Sequence, residues 1–95
     1  MTYRLSRKAE EDIVAFYVTG VREFGVGQAE RYHAGLEHAF TFLSEYPRAA
    51  RERPEINPPV RVHRYKSHLI VYRLDGGGIL IQRVRHGRED WMNHD

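Results

Sequence analysis

"HLIVYRLDGGGILIQRVRH", residues 68–86, decides what kind of fold this chain adopts. "HLIVYRL" (68–74) and "ILIQRVRH" (79–86) are rich in β-branched residues and carry strand periodicity. The "DGGG" between them (75–78) is a strong hairpin signal, because glycine takes up the positive φ of a tight turn without steric cost. Alternation along a strand sorts side chains onto two faces. In the first run His68, Ile70, Tyr72 and Leu74 share one face, and Leu69, Val71 and Arg73 share the other. In the second, Ile79 and Ile81 alternate with Leu80, Gln82 and Val84. Further on, Arg83 and Arg85 fall on one face, with Val84 and His86 on the other.

Just upstream, "VRVHRY" (60–65) is a further strand, joined to the hairpin by a short turn at Lys66–Ser67. Its Arg61, His63 and Tyr65 oppose Val60, Val62 and Arg64. The three runs form an antiparallel meander, and a sheet that small needs a cover. The cover lies N-terminal to it. Ala9, Ile13, Phe16, Tyr17, Gly20 and Phe24 recur at helical steps, after Ser6 as a capping residue and with Glu10, Glu11 and Asp12 near the positive end of the dipole. Gly25 and Gly27 end this helix, and a second runs from about Gln28. Its stripe is Ala29, Tyr32, Leu36, Ala39, Phe40 and Leu43, and Pro47 stops it. "RAARERPEINPP" (48–59) has three prolines and no period, so it reads as a loop. "TYRL" (2–5) reads as a short strand that adds to the same sheet. The expectation is an α+β fold of order β-α-α-β-β-β, a single domain over residues 1–95.

Composition narrows the function. The 41% apolar and 29% charged shares suit an ordinary globular protein. No apolar run is long enough for a membrane span, and the polar start "MTYRLSRKAEED" holds no apolar signal core. A cytoplasmic location is expected. With zero cysteines, disulfides and cysteine-based zinc or nucleophilic chemistry are excluded. The net charge of +2 conceals an asymmetry: residues 1–47 hold five Lys/Arg against seven Asp/Glu, and residues 48–95 ten against six. Only Lys8 and Lys66 are lysines. Arginine bias arises from genome base composition or marks a face that meets an acidic partner, since guanidinium binds carboxylate and phosphate bidentately. Both readings stand.

The histidines are the candidates for catalysis. His63, His68 and His86 beside arginines offer proton transfer and phosphorane stabilisation for RNA cleavage. Against that reading, there is no Ser-His-Asp order, no glycine-rich phosphate loop opening a helix, and no metal-ligand spacing. His33 and His38 are five apart and read as solvated, while His68 reads as a partly buried structural residue. No cofactor and no metal are expected. Direct nucleic-acid binding is not expected either: the helices are net acidic and most aromatics lie on core stripes. In "RVRHGREDW" (83–91), an Asp90–arginine pair closing the sheet edge under Trp91 is the structural reading. An exposed gripping surface is the functional one.

"YRLSRKAEEDI" (3–13), "FGVGQAERYHAGLEHAFTFLSEYP" (24–47), "HLIVYRL" and "ILIQRVRHGRED" (79–90) together resemble the ParE branch of the RelE/ParE toxin superfamily over essentially the whole chain. Tyr3, Leu5, Ser6, Ala9 and Asp12 match its opening; Phe24, Gly25, Ala29, Tyr32, Leu36, Phe40, Leu43 and Pro47 match its second segment. His68, Ile70 and Tyr72 match its "HxIxY" strand, and Arg83, Val84, His86, Gly87, Arg88 and Asp90 its ending. Arg85 departs from the pattern, standing where leucine is common. That departure leaves the sheet end open or facing a partner.

The resemblance implies a plasmid-stabilising toxin of a bacterial type II toxin–antitoxin module, held in a hetero-oligomer by a ParD-like antitoxin. It implies a non-enzymatic inhibitor of DNA gyrase; the alternatives are a RelE-like ribosome-dependent mRNA endonuclease and a non-toxic binding module of the same fold. Scarce lysine and the acidic pair after His86 favour the ParE side. On this reading Arg85, His86, Arg88 and Trp91 are the gyrase-contact candidates, while Arg83 and Asp90 secure the sheet end. Off-stripe Val18, Val21 and Phe42, with Arg61 and Arg64 from the basic stretch, are the antitoxin-contact candidates.

Overall fold

The computed structural model of the chain describes residues 2–87. Arg88, Asp90 and Trp91 lie outside the described residues. The elements are β1 (Tyr3–Leu5), α1 (Arg7–Phe24), α2 (Val26–Glu45), β2 (Glu52–Arg53), β3 (Val60–Tyr65), β4 (His68–Asp75) and β5 (Gly78–His86). Two helices pack on one face of a five-stranded sheet of order β1-β5-β4-β3-β2, an α+β architecture with the expected meander at its centre.

Two features of the sheet differ from the sequence expectation. β1 joins it parallel to β5, Tyr3 opposite Ile79 and Leu5 opposite Ile81. A parallel pairing needs a long crossover, and here both helices and the meander lie between the two strands. Within the stretch read as a loop, Glu52 and Arg53 pair antiparallel with Arg61 and Val60. Arg61 fastens this stretch further, donating through Nη1 to the Ala50 carbonyl at 2.8 Å.

The helices form where the stripes predict. Ser6 caps α1, its Oγ accepting from the Ala9 amide at 3.0 Å. The connection is tighter than expected: Gly27 belongs to α2, and Gly25 alone separates the helices at φ 90°, ψ 162°. That conformation is essentially confined to glycine. Ala9, Ile13, Leu36, Phe40 and Leu43 pack against Ile70, Tyr72, Ile79, Ile81 and Val84 to make the core. Phe24, placed on the α1 stripe by its spacing, is 61% exposed at the turn end of that helix. The hydroxyl of the buried Tyr72 donates to the Pro47 carbonyl at 2.9 Å, so the one polar atom of a large core side chain is satisfied.

The decisive irregularity is in β5. Its register with β4 runs Ile79–Leu74, Ile81–Tyr72, then Arg83–Val71 and Val84–Ile70. Gln82 is thus the extra residue of a β-bulge, and a bulge shifts everything beyond it to the opposite face. Uninterrupted alternation groups Val84 with Leu80 and Gln82; the bulge instead buries it with Ile79 and Ile81 in the core. Without the bulge, Arg83 and Arg85 would continue the isoleucine face into the helices.

Candidate functional site

Beyond Ile81, β5 has no strand on its outer side among the described residues, because β1 ends at Leu5. Side chains and backbone of the α1 start take its place. The Ser6 amide donates to the Ile81 carbonyl at 2.9 Å, and Ser6 Oγ donates to the Gln82 carbonyl at 2.7 Å. Asp12, nearly two turns further along α1, accepts three bonds: Arg83 Nε at 2.8 Å, Arg83 Nη2 at 2.9 Å and the Val84 amide at 3.0 Å. One carboxylate therefore closes the strand edge and holds a guanidinium bidentately. The sequence marked Asp12 as an acid near the start of α1 and as a match to the family's opening, without a partner. Its three-residue step from Ala9 and four-residue step to Phe16, both on the stripe, was the signal that it faces inward.

On the helix side of the same strand ends the structure gathers an aromatic cluster. The His68 and Phe16 rings lie 4.2 Å apart at their centroids, and the His68 and His86 rings 5.6 Å apart, edge to face. Tyr32 Oη is 2.7 Å from His68 Nδ1. Burial is the main reason the Tyr32 pKa is raised, so the hydroxyl keeps its proton at neutral pH and donates to Nδ1 when His68 carries its hydrogen on Nε2. These residues line a cavity of about 390 Å³ between the two helices and the β4–β5 end, with Phe24, Ala29 and His33 on its other walls. His33, read as solvated, is half-buried, and its Nδ1 is buried with no hydrogen-bond partner among the described residues.

A second depression of about 320 Å³ lies on the outer side, lined by Asp12, Phe16, His68, Arg83, Arg85 and His86. Here the arginines and histidines of the catalytic alternative do converge, but around a carboxylate. Asp12 occupies the side of Arg83 that a phosphate needs, and its charge opposes an incoming phosphodiester. Among the described residues no group of three or more histidines and carboxylates could hold a metal ion.

The remaining candidates lie elsewhere. Val18 is exposed and Val21 half-buried on α1. Phe42 is 43% exposed, stacked between Tyr46 and His63 at centroid distances of 5.3 and 6.0 Å. Burial lowers the pKa of His63. Arg64 is exposed beside the Lys66–Ser67 turn, donating to the Lys66 carbonyl at 3.2 Å. The structure thus places the sequence candidates in three regions: the β5 end, the α1 surface and the β3 side. Among the described residues no helix is long and apolar enough to cross a membrane.

The family model described as "ParE toxin of type II toxin-antitoxin system, parDE" matches residues 3–91. The chain is 35% identical over 89 residues to Toxin ParE1 of Mycobacterium tuberculosis, covering 93% of this chain and 91% of that protein. It is 30% identical over 84 residues to Toxin ParE1 of Caulobacter vibrioides, covering 88% and 86%. Among solved structures, a chain of the chromosomal ParDE TA system from P. aeruginosa superposes with a TM-score of 0.74 at 25% identity, covering 90% of this chain and 95% of that one.

Proposed function

The chain belongs to the ParE family of toxins of type II toxin–antitoxin systems, and on that premise we propose that it inhibits DNA gyrase by protein–protein contact, in the cytoplasm, until a ParD-like antitoxin neutralises it. One observation carries the choice of contact over cleavage: the Arg83 guanidinium is held bidentately by Asp12. Phosphoryl chemistry needs a cation and a proton-transfer group aimed at one phosphate. At the β5 end the cation faces a carboxylate instead. The gyrase-contact surface comprises Arg85 and His86, continued by Arg88 and Trp91 beyond the described residues. The antitoxin-contact surface draws on Val18 and Val21 of α1, and on Phe42, Arg61 and Arg64 on the β3 side.

Two assays on purified protein test this reading. One follows supercoiling and DNA cleavage by gyrase; the other follows mRNA cutting during translation in vitro. Inhibited gyrase with intact mRNA is the expected pair of results. Cut mRNA with normal gyrase overturns the proposal and makes His86 and its neighbouring arginines a nuclease site. Silence in both leaves a binding module of the same fold.

A further inference from the structure

The helical hairpin extends past the sheet beneath it. β4 starts at His68 and β5 ends at His86, and the His68 ring lies against Phe16, 4.2 Å between centroids. From Phe16, α1 runs on to Phe24, about 12 Å at 1.5 Å per residue. α2 returns over the same span, and its Tyr32 hydroxyl meets His68 Nδ1 at 2.7 Å. The cavity of about 390 Å³ is the space under this overhang: Gly20, Phe24 and Ala29 line it from the helices, Ser67, His68 and His86 from the strand ends. Small residues keep it hollow, since Gly20 has no side chain and a Cβ there would meet that of Ala29 at 3.6 Å. Phe24 and Val26 stand 61% and 58% exposed at the tip of the hairpin. Apolar walls around an open hollow mark a surface that something covers.

We propose that this cavity is the seat of the chain's own Trp91, and that the seated indole holds Arg88 at the β5 end. The chain leaves β5 at the mouth of the cavity: His86 is one of its walls, and the Gly87 amide is fixed to the Ser67 carbonyl at 2.8 Å. Trp91 follows four residues later, a reach of up to about 13–14 Å, which matches the overhang. It is the only tryptophan of the sequence, and Arg88, Glu89 and Asp90 before it are all charged, so they stay in water at the mouth. An indole is flat and apolar with a single N–H, and it gains most from walls that offer ring edges and faces. Phe16, Tyr32 and His68 already pack in tilted and edge-to-face pairs there. Three intervening residues put the indole at an effective concentration on the order of millimolar, an advantage over a free partner or a second copy. The role of Arg88 rests on the gyrase reading, with Trp91 a positioning residue that acts through it; the seating itself does not depend on the target.

One tryptophan and no cysteine make the seat directly readable. In the full chain, Trp91 emission is expected to be blue-shifted and several-fold less quenched by acrylamide than in urea. Gly20→Leu fills the cavity; with circular dichroism unchanged, the emission is expected to shift red and quenching to rise towards the unfolded level. Should Gly20→Leu fail to fold, a bimane label on Gln28→Cys, at an exposed wall residue, decides instead. An indole in the cavity quenches that label and Trp91→Phe relieves the quenching, while a label on Arg48→Cys past the far end of α2 is unaffected. A solvent-exposed Trp91 overturns the seat, as does shielding that survives in folded Gly20→Leu or equal quenching of the two labels. Shielding lost on dilution also overturns it, assigning the cavity to Trp91 of a second copy. In the gyrase supercoiling assay Trp91→Ala is expected to lose at least about tenfold in inhibition, and Trp91→Phe to retain most of it. Full inhibition by Trp91→Ala, or equal loss in both variants, removes the positioning role. A shielded tryptophan with gyrase unaffected by the unaltered chain keeps the seat and removes the gyrase reading; an exposed tryptophan with inhibited gyrase does the reverse.

Discussion

Asp12→Ala tests the β5 edge most directly. The carboxylate accepts from Arg83 Nε, Arg83 Nη2 and the Val84 amide, with the Asp12 side chain 16% and the Arg83 side chain 31% exposed. Fully exposed ion pairs contribute about 0–1 kcal/mol, whereas breaking a buried one costs about 3–5 kcal/mol. This pair lies between those limits, and the substitution also strips an edge amide of its acceptor. The expected loss is about 2–3 kcal/mol. For a domain of this size that lowers the melting temperature by roughly 10–20 °C. Asp12→Asn keeps a carbonyl for the Val84 amide and loses the charge, so about half the cost is expected. Urea denaturation followed by circular dichroism gives the equilibrium values. A double-mutant cycle with Arg83→Ala then isolates the pair, for which about 1–2 kcal/mol of coupling is expected. A loss under about 0.5 kcal/mol for Asp12→Ala, together with no coupling to Arg83, would refute the role given to this carboxylate.

Further expectations concern the core, the hairpin, pH and the target surface. Leu36→Ala, at a fully buried position, costs about 3 kcal/mol in the same denaturation assay. Gly25→Ala costs about 1–3 kcal/mol, because φ 90° with ψ 162° suits glycine; an unchanged midpoint would mean the connection adopts another conformation. Burial holds the His63 imidazole below the ordinary histidine pKa, so on acidification the unfolded chain takes up that proton first. The neutral ring carries no such penalty above about pH 7, and stability declines as pH falls through the ordinary histidine range, levelling off below the folded-state pKa. His63→Gln is expected to flatten that decline, measured as denaturation midpoint against pH. The double substitution Arg88→Ala with Trp91→Ala is expected to weaken gyrase inhibition at least about tenfold with antitoxin affinity unchanged; full inhibition by this variant removes both residues from the contact surface.

Much of this molecule was legible in the order of its residues, because helix stripes, caps and tight turns are set by neighbours within four positions. Ser6 as the α1 cap, the Ala29–Leu43 stripe, and the two-residue turns at Lys66–Ser67 and Gly76–Gly77 all follow from such local rules. The family was legible too, since its pattern of ordinary core and turn residues runs the length of the chain. What lay beyond the sequence depends on partners far along it. Gln82 as a bulge has no local signature: alternation through 79–86 is unbroken on paper. Only packing against α1 decides that Val84 turns inward and the arginines turn out. Asp12 and Arg83 are 71 positions apart, so their pairing became visible only once α1 lay along the edge that the short β1 leaves open. The outward edge of β3 arises the same way, from β2 stopping after two residues. Local chemistry fixes which elements form; where each strand runs out of neighbours is decided by packing.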